Sequence, residues 1–191
     1  METGSYTKRQ QKKRIRRSRH RKRSPVDPNL LAAICSVIPS GSSVLDIGAG
    51  FGQYVEALRD KGYRASGIDG TPKIEKLTDG LVKQKELTTD CGEYFGSVDW
   101  GLFFEVGEHV PKIYESFLID QVCSIPTKGL VVSWATIGQR GSGHINCQLP
   151  SYVMGEFCKR EGWRLDADKT EFARKLVNER LRKRLFVFVK D

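Results

Sequence analysis

The chain has 191 residues and a formal net charge of +9 at pH 7, a length that suits one α/β domain and is too short for two ordinary ones. Its five cysteines include no CxxC pair, and no apolar run reaches the roughly 18 residues that a transmembrane helix needs. A disulfide scaffold, a secreted protein and a membrane span are therefore disfavoured. We expect a soluble intracellular protein, either cytoplasmic or nuclear.

The excess positive charge lies in the first segment of the chain. Residues 1–28 contain eleven lysines and arginines against two acids, so residues 29–191 are neutral. The basic run KRQQKKRIRRSRHRKR has Ile15 as its only aliphatic residue, and it cannot bury enough surface to offset the entropy of folding. We expect residues 1–28 to form a disordered tail in which residues 8–23 bind RNA or another polyanion, or act as a nuclear import signal. A solubilising tail without a partner is the alternative.

Predicted strands and helices alternate along residues 29–191. In chain order the pattern predicts a helix in DPNLLAAICSVIP, a strand in VLDI, a helix from Tyr54 to near Gly62, strands in YRASGID, LVKQKEL and VDWGLFFE, a helix in KIYESFLIDQVC, a strand in GLVVSWA, a helix in SYVMGEFCKREG, a strand in WRLD, a helix after Asp168 and a strand in RLFVFV. Because parallel neighbours need crossover connections, this order predicts an α/β fold with a doubly wound, seven-stranded, mostly parallel sheet. Ligands bind such sheets beyond the carboxyl ends of the strands.

Two helix details follow from residue spacing. Ile113, Phe117 and Val122 are spaced as the apolar stripe of the helix in KIYESFLIDQVC. Asp168 and Glu171 are spaced as a capping pair ahead of the last helix.

Three glycines at alternate positions follow the first predicted strand, in LDIGAGFGQY. A dinucleotide-binding loop would have a glycine at position 53, where this chain has Gln53, so the pattern does not favour NAD. Gly48 and Gly50 allow a tight turn and a close approach of the backbone to a ligand, and Gly52 precedes a predicted helix N-terminus. Asp69, at the end of the next predicted strand, is positioned to accept both hydroxyls of a ribose. The combination favours a nucleoside ligand.

These segments resemble a known enzyme family. VLDIGAGFGQY, GIDG, VDWGLFFEVGEHVP and GLVVSWA, in this order, look like motifs I, II, IV and V of the Rossmann-like class I S-adenosylmethionine-dependent methyltransferases. The resemblance extends over residues 29–191. More narrowly, GIDGTPKIEKLTDGLV, EVGEHVPKIYESFL and VVSWATIGQRGSGHIN resemble the family of methyltransferase-like protein 24.

The resemblance implies a set of residues that bind S-adenosylmethionine. Gly48, Gly50 and Gly52 would line the methionine and ribose part of the cofactor, Asp69 would hold the ribose, and Asp46 would organise the loop. The acid that contacts adenine is either Glu86 or Asp90, and Glu86 is preferred.

The candidate catalytic residues follow the strand VDWGLFFE. Glu105, Glu108 and His109 lie on one side if the chain turns helical after Glu105, and two carboxylates with an imidazole can bind Mg²⁺ or Mn²⁺. Such a cation would polarise a hydroxyl nucleophile. His144, after the next parallel strand, would be a fourth ligand. An ExxEH segment with a later histidine is similar to the metal site of the small-RNA 3′-terminal 2′-O-methyltransferases and of the ubiquinone-pathway O-methyltransferases.

Alternatives remain open for this segment and for the whole protein. Many class I members without a metal also carry ExxEH, and this chain lacks the FxPP segment of the small-RNA group. The alternative is therefore that Glu105 and His109 have a role that involves no metal. The alternative for His144 is that it is an ordinary residue of the Gly-rich loop and binds no metal. The expected function is methyl transfer from S-adenosylmethionine to a hydroxyl of RNA or of a small molecule. The alternative is a catalytically inactive, methyltransferase-fold protein that binds nucleic acid or regulates a partner.

Overall fold

The structure is a computed structural model that describes residues 25–89 and 97–191. Nearly all of the predicted basic tail, including residues 8–23, lies outside the described residues, as does Asp90. The predictions for those residues therefore stay predictions.

Seven strands form a single sheet. They are β1 (Ser43–Ile47), β2 (Arg64–Asp69), β3 (Val82–Gln84), β4 (Val98–Phe104), β5 (Pro126–Ser133), β6 (Trp163–Leu165) and β7 (Leu185–Lys190). Their order across the sheet is β3-β2-β1-β4-β5-β7-β6, and β7 is antiparallel to both of its neighbours while the other pairs are parallel. The predicted seven-stranded, mostly parallel α/β sheet is confirmed.

The helices alternate with the strands as predicted. They are α1 (Pro28–Val37), α2 (Gln53–Asp60), α3 (Ile74–Leu77), α4 (Glu115–Ser124), α5 (Pro150–Cys158), α6 (Ala167–Leu176) and α7 (Glu179–Arg182), with short 3-10 turns at Gly107–His109 and Lys112–Tyr114. Asp27 caps α1 as expected, since its side chain accepts hydrogen bonds from the N–H groups of Asn29 and Leu30. Among the described residues, no helix combines the length and the apolar character needed to traverse a bilayer.

Two helix details differ from the prediction. Ile113 lies in a 3-10 turn before α4 and is 84% exposed, and Phe117 is 39% exposed. The 3-10 turn changes the phase of the chain ahead of α4, so Ile113 and Phe117 do not join the buried stripe. Val122 is buried as predicted, together with Leu118, Ile119 and Cys123. The N-cap of α6 is Asp166, whose side chain accepts from the N–H of Lys169, and the predicted pair Asp168 and Glu171 does not form the cap.

Both faces of the sheet are covered. On one face α1, α2 and α6 pack on strand residues such as Val44 and Leu102, and on the other α4 and α5 pack on Leu45 and Phe103. Alternate residues of each strand thus enter opposite cores, as a doubly wound sheet requires. Helices on both faces leave the carboxyl edge of the parallel strands as the position for a ligand.

Candidate functional site

The loop between β1 and α2 has a left-handed backbone at its three glycines. The φ angles of Gly48, Gly50 and Gly52 are 87°, 57° and 76°. A Cβ atom at Gly48 would lie 2.3 Å from Cγ2 of Val106, and one at Gly52 would lie 2.7 Å from Cδ2 of Leu81, so protein side chains use the space at these two positions. A Cβ at Gly50 would meet no heavy atom of the described residues within 4 Å. Of the three loop glycines, Gly50 is therefore the one at which described side chains leave space for a ligand.

Asp69 joins this loop to the end of β2. Its Oδ2 accepts the N–H of Gly50 at 2.9 Å, and its Oδ1 accepts the N–H of Thr71 at 2.7 Å. The residue is buried, at 5% exposure. Because each carboxylate oxygen has a second lone pair, Asp69 fixes the loop and still has the capacity to accept two ligand hydroxyls.

Asp46 adds a second buried acid at the end of β1. The residue is 6% exposed, and its pKa is raised to about 7, first by burial and then by the charge of Asp69. Two carboxyl groups near each other at the ends of β1 and β2 favour a ligand that carries positive charge.

Glu86 lies two residues beyond β3, with its carboxylate near Gly70. Its Oε1 accepts hydrogen bonds from the backbone N–H and the hydroxyl of Thr88, at 3.2 and 3.0 Å. Its Oε2 lies 3.7 Å from the position that a Cβ of Gly70 would occupy. The structure thus places Glu86 at the same edge of the sheet as Asp69 and the glycine loop.

Glu105 follows β4 and is paired with an arginine. Its backbone is left-handed, with φ of 54°, which is unusual for a non-glycine residue. Its Oε2 accepts from Nη1 of Arg184 at 2.6 Å and from Nε2 of Gln139 at 3.0 Å, and its Oε1 accepts from the hydroxyl of Ser133 at 2.9 Å. The helical turn predicted after Glu105 begins only at Gly107, so Glu105 lies outside the turn that contains Glu108 and His109.

The structure brings together the other three candidate ligands. One ligand atom from each of Glu108, His109 and His144 lies within 4.8 Å of the others, and we name these three residues the acceptor cluster. Atoms bound to one ion at about 2.1 Å lie up to about 4.2 Å apart, so small side-chain adjustments would bring these three atoms to the spacing of metal ligands. The rings of His109 and His144 are edge to face, with centroids 5.0 Å apart.

Glu108 is fully buried, and neither of its carboxylate oxygens has a hydrogen-bond partner among the described residues. Nε2 of His144 lies 3.9 Å from Oε1 of Glu108. Burial first, and then the charge of Glu105, raise the pKa of Glu108 to about 8. The backbone amides of Glu108 and Ala135 oppose this shift, but neither has the geometry of a hydrogen bond to the carboxylate. Buried polar groups without partners are rare and call for an explanation.

The second nitrogen of each imidazole fixes its tautomer. His109 Nδ1 lies 3.0 Å from the carbonyl oxygen of Gly143, and His144 Nδ1 lies 3.1 Å from that of Gln139. A carbonyl oxygen only accepts hydrogen bonds, so each Nδ1 carries a proton, and in the neutral form of either ring the lone pair is on Nε2. This is the arrangement that orients histidine ligands in metal sites.

Three buried residues that the sequence analysis missed hold the His144 loop in place. The backbone carbonyl of Glu108 accepts the N–H groups of Ile145 and Asn146 at 2.9 and 3.0 Å. Asn146 Nδ2 donates to Glu115 at 2.8 Å, and Trp134 Nε1 donates to the carbonyl of Asn146 at 2.7 Å. These bonds join the segments after β4 and β5, and they fix His144 relative to Glu108.

The glycine loop contacts the segment that leads into the acceptor cluster. Val106, which fills the space beside Gly48, lies two residues before Glu108. The two parts of the site therefore form one continuous region at the carboxyl ends of β1, β2, β4 and β5.

Comparison with known proteins establishes the fold. No protein-family description and no curated protein matches the sequence. A TehB-like S-adenosylmethionine-dependent methyltransferase from Corynebacterium glutamicum is similar in structure, with a TM-score of 0.64, 14% identity and coverage of 97% of this chain and 100% of that one. The small RNA methyltransferase HEN1 has a TM-score of 0.63 and 16% identity over 100% of this chain, which spans only 26% of HEN1.

A third structure includes the cofactor. The magnesium protoporphyrin IX methyltransferase ChlM from Synechocystis PCC 6803, with bound S-adenosylmethionine, has a TM-score of 0.61 and 16% identity, over 98% of this chain and 86% of that one. At these identities the similarity concerns the fold. The chain has the Rossmann-like fold of class I S-adenosylmethionine-dependent methyltransferases.

Proposed function

We propose that the protein transfers a methyl group from S-adenosylmethionine to a hydroxyl group, with the help of a divalent cation bound by the acceptor cluster. The main support for the cation is Glu108, whose buried carboxylate has no hydrogen-bond partner among the described residues and lies close to two imidazoles. The observation that carries the cofactor is the glycine loop with Asp69, in a fold whose relatives include a structure with bound S-adenosylmethionine.

The residues at the ends of β1 to β3 fit S-adenosylmethionine. Its sulfonium is positively charged, which suits a site next to the carboxyl groups of Asp46 and Asp69. Asp69 would accept the ribose hydroxyls, and Glu86 would contact the adenine. The open side of Gly50 would admit the methionine part of the cofactor. When bound, the cofactor supplies the activated methyl group.

The acceptor cluster fits a divalent cation. One carboxylate and two imidazole nitrogens form a mixed donor set, which suits Mn²⁺ better than Mg²⁺, because Mg²⁺ prefers oxygen ligands. A bound cation would lower the pKa of an acceptor hydroxyl. The protein must then align that hydroxyl for an in-line displacement. Glu105 would act indirectly in this scheme, because it holds Gln139, whose carbonyl orients His144.

RNA is the acceptor class that the basic residues 8–23 favour, and HEN1 is by name a small RNA methyltransferase. A small-molecule hydroxyl is the alternative acceptor. The narrower resemblance to methyltransferase-like protein 24 is part of this proposal and does not identify a substrate.

The test is calorimetric titration of S-adenosylmethionine and of Mn²⁺ into the full-length protein. Asp69→Ala should weaken cofactor binding roughly ten- to a hundredfold, since it removes hydrogen bonds to a charged group. Glu108→Gln should abolish Mn²⁺ binding and leave cofactor binding intact. Asp60→Asn, at the exposed end of α2, is the control for both titrations.

Two results would contradict the proposal. Absence of S-adenosylmethionine binding would refute the enzyme and favour a nucleic-acid-binding or regulatory protein. Cofactor binding with unchanged turnover in the presence of a chelator would refute the cation and leave a methyltransferase without a metal.

A further inference from the structure

A cleft of about 520 Å³ opens beside the site and is rich in positive charge. Its walls are formed by the loop after β5, the start of α5, and α7 with the residues that follow it. The lining residues are Thr136, Pro150, Glu179, Arg180, Lys183 and Arg184.

Two of the three cations of this cleft are available to a ligand. Arg180 and Lys183 are exposed, and neither forms an ion pair with any residue in the described ranges. The third, Arg184, is 6% exposed. Its Nε donates to the carbonyl of Arg180 and its Nη1 donates to Glu105 and Gln139, while its Nη2 has no hydrogen bond to a described residue. Residues 174–184 contain six lysines and arginines against one acid, although residues 29–191 as a whole are neutral. The positive charge of the domain is therefore concentrated next to the site.

Two short chains of contacts connect the cleft to the acceptor cluster. Arg184 pairs with Glu105, which lies three residues before Glu108. The backbone carbonyl of Thr136 accepts a hydrogen bond from the N–H of Gln139 at 3.0 Å. The backbone carbonyl of Gln139 in turn accepts a hydrogen bond from Nδ1 of His144. A molecule held in the cleft would thus lie next to the residues that hold the cation ligands.

We infer that the cleft binds a phosphate group of the molecule that is methylated. Guanidinium groups recognise phosphate through paired, charge-assisted hydrogen bonds, and an ammonium adds a point charge. The inference rests on the proposed function, because it specifies the substrate class of the same site. The phosphate belongs either to a phosphodiester of RNA or to a small phosphorylated molecule, and both share this chemistry.

The test compares two double variants of the full-length protein that lose the same charge. Arg180→Gln/Lys183→Gln removes two cleft cations, whereas Lys61→Gln/Lys76→Gln removes two exposed lysines that do not line the cleft. Binding of a fluorescent 20-nucleotide single-stranded RNA is followed by anisotropy over a range of salt concentrations. Loss of two phosphate contacts should reduce the slope of log K against log salt by roughly 1.4 in the cleft variant. The control variant should keep the slope of the natural protein.

A second titration identifies the source of the phosphate. Uridine monophosphate carries a single phosphate group, so its affinity should fall at least fivefold in the cleft variant if the substrate is a small phosphorylated molecule. If the cleft variant binds RNA more weakly than the control variant does but binds uridine monophosphate equally well, the phosphate is a phosphodiester of RNA. Equal affinities and slopes in the two double variants, for both ligands, would overturn the inference.

Titrations with S-adenosylmethionine and Mn²⁺ keep this result separate from the proposed function. Both ligands should bind the cleft variant and the natural protein equally. A selective loss of phosphate binding without any cofactor binding would support the cleft and refute the methyltransferase. Normal cofactor binding with no selective loss of phosphate binding in the cleft variant would support the methyltransferase and refute the phosphate site in the cleft.

Discussion

Replacement of Asp46 by asparagine tests the electrostatics of the candidate cofactor site. The pKa of Asp46 is raised from 3.8 to about 7, so the folded protein binds a proton at this carboxyl more tightly than the unfolded chain does. A group with a raised pKa stabilises the fold most below pH 3.8, and this contribution is lost as the pH rises to about 7. At about 1.4 kcal/mol per pKa unit, the loss amounts to roughly 4 kcal/mol in all and to about 2.5 kcal/mol between pH 5 and pH 8.

Asparagine has a similar shape and no charge, so Asp46→Asn should remove this pH dependence. We expect the variant to gain roughly 2.5 kcal/mol of unfolding free energy relative to the natural protein between pH 5 and pH 8. Urea denaturation without ligands at pH 5, 6.5 and 8 measures the difference, and Asp60→Asn is the exposed control. A difference between Asp46→Asn and the natural protein that is the same at all three pH values would refute the reasoning.

Three further substitutions test other parts of the structure. Gly48→Ala combines a φ of 87° with a Cβ 2.3 Å from a valine methyl, so it should lower stability by about 1–3 kcal/mol in urea denaturation and weaken S-adenosylmethionine in calorimetry. Gly141→Ala would place a Cβ 2.1 Å from Nε2 of His144, so calorimetry should show weaker Mn²⁺ binding with every ligand side chain present. A hydrogen bond from Lys128 is the main cause that holds the pKa of Asp99 below its usual range. Asp99→Asn should therefore lower stability at pH 7, and urea denaturation should show this loss disappearing as the pH falls below about 4.

The fold was largely predictable because its strands and helices have distinct patterns of apolar residues. VDWGLFFE and GLVVSWA are buried on both faces, and short parallel strands between helices have few other arrangements. The reversed direction of β7 was not predicted, since a strand has the same alternation in either direction. The prediction that Ile113 belongs to the apolar stripe of α4 was wrong for a local reason. Pro111 and a 3-10 turn precede α4, and the spacing of an α-helix does not extend through them.

The positions of the candidate site residues were predictable where the residues are close in sequence or follow strands that are adjacent in the sheet. Glu108 and His109 are neighbours, and His144 follows a strand that is adjacent in the sheet, so topology alone brings them together. Glu105 was placed with them on the assumption of a helical turn. Its left-handed backbone and its pairing with Arg184, 79 residues away, are tertiary features that no local spacing contains.

The arrangement of the acceptor cluster is difficult to explain by folding alone. When Glu108 is ionised and both imidazoles are neutral, the three members present acceptors to one another, since both histidines have their Nδ1–H groups directed to backbone carbonyls and no described group donates to Glu108. Converging lone pairs repel, and a buried carboxylate without a partner costs several kcal/mol. A nonpolar side chain of similar volume would fill the position of Glu108 at lower cost. The hydrogen bonds from Ile145 and Asn146 nevertheless fix this unfavourable geometry, and the raised pKa of Glu108 reflects the same conflict. A cation between the three acceptors would turn each repulsion into a ligand bond, which is the physical reason to propose a metal at this cluster.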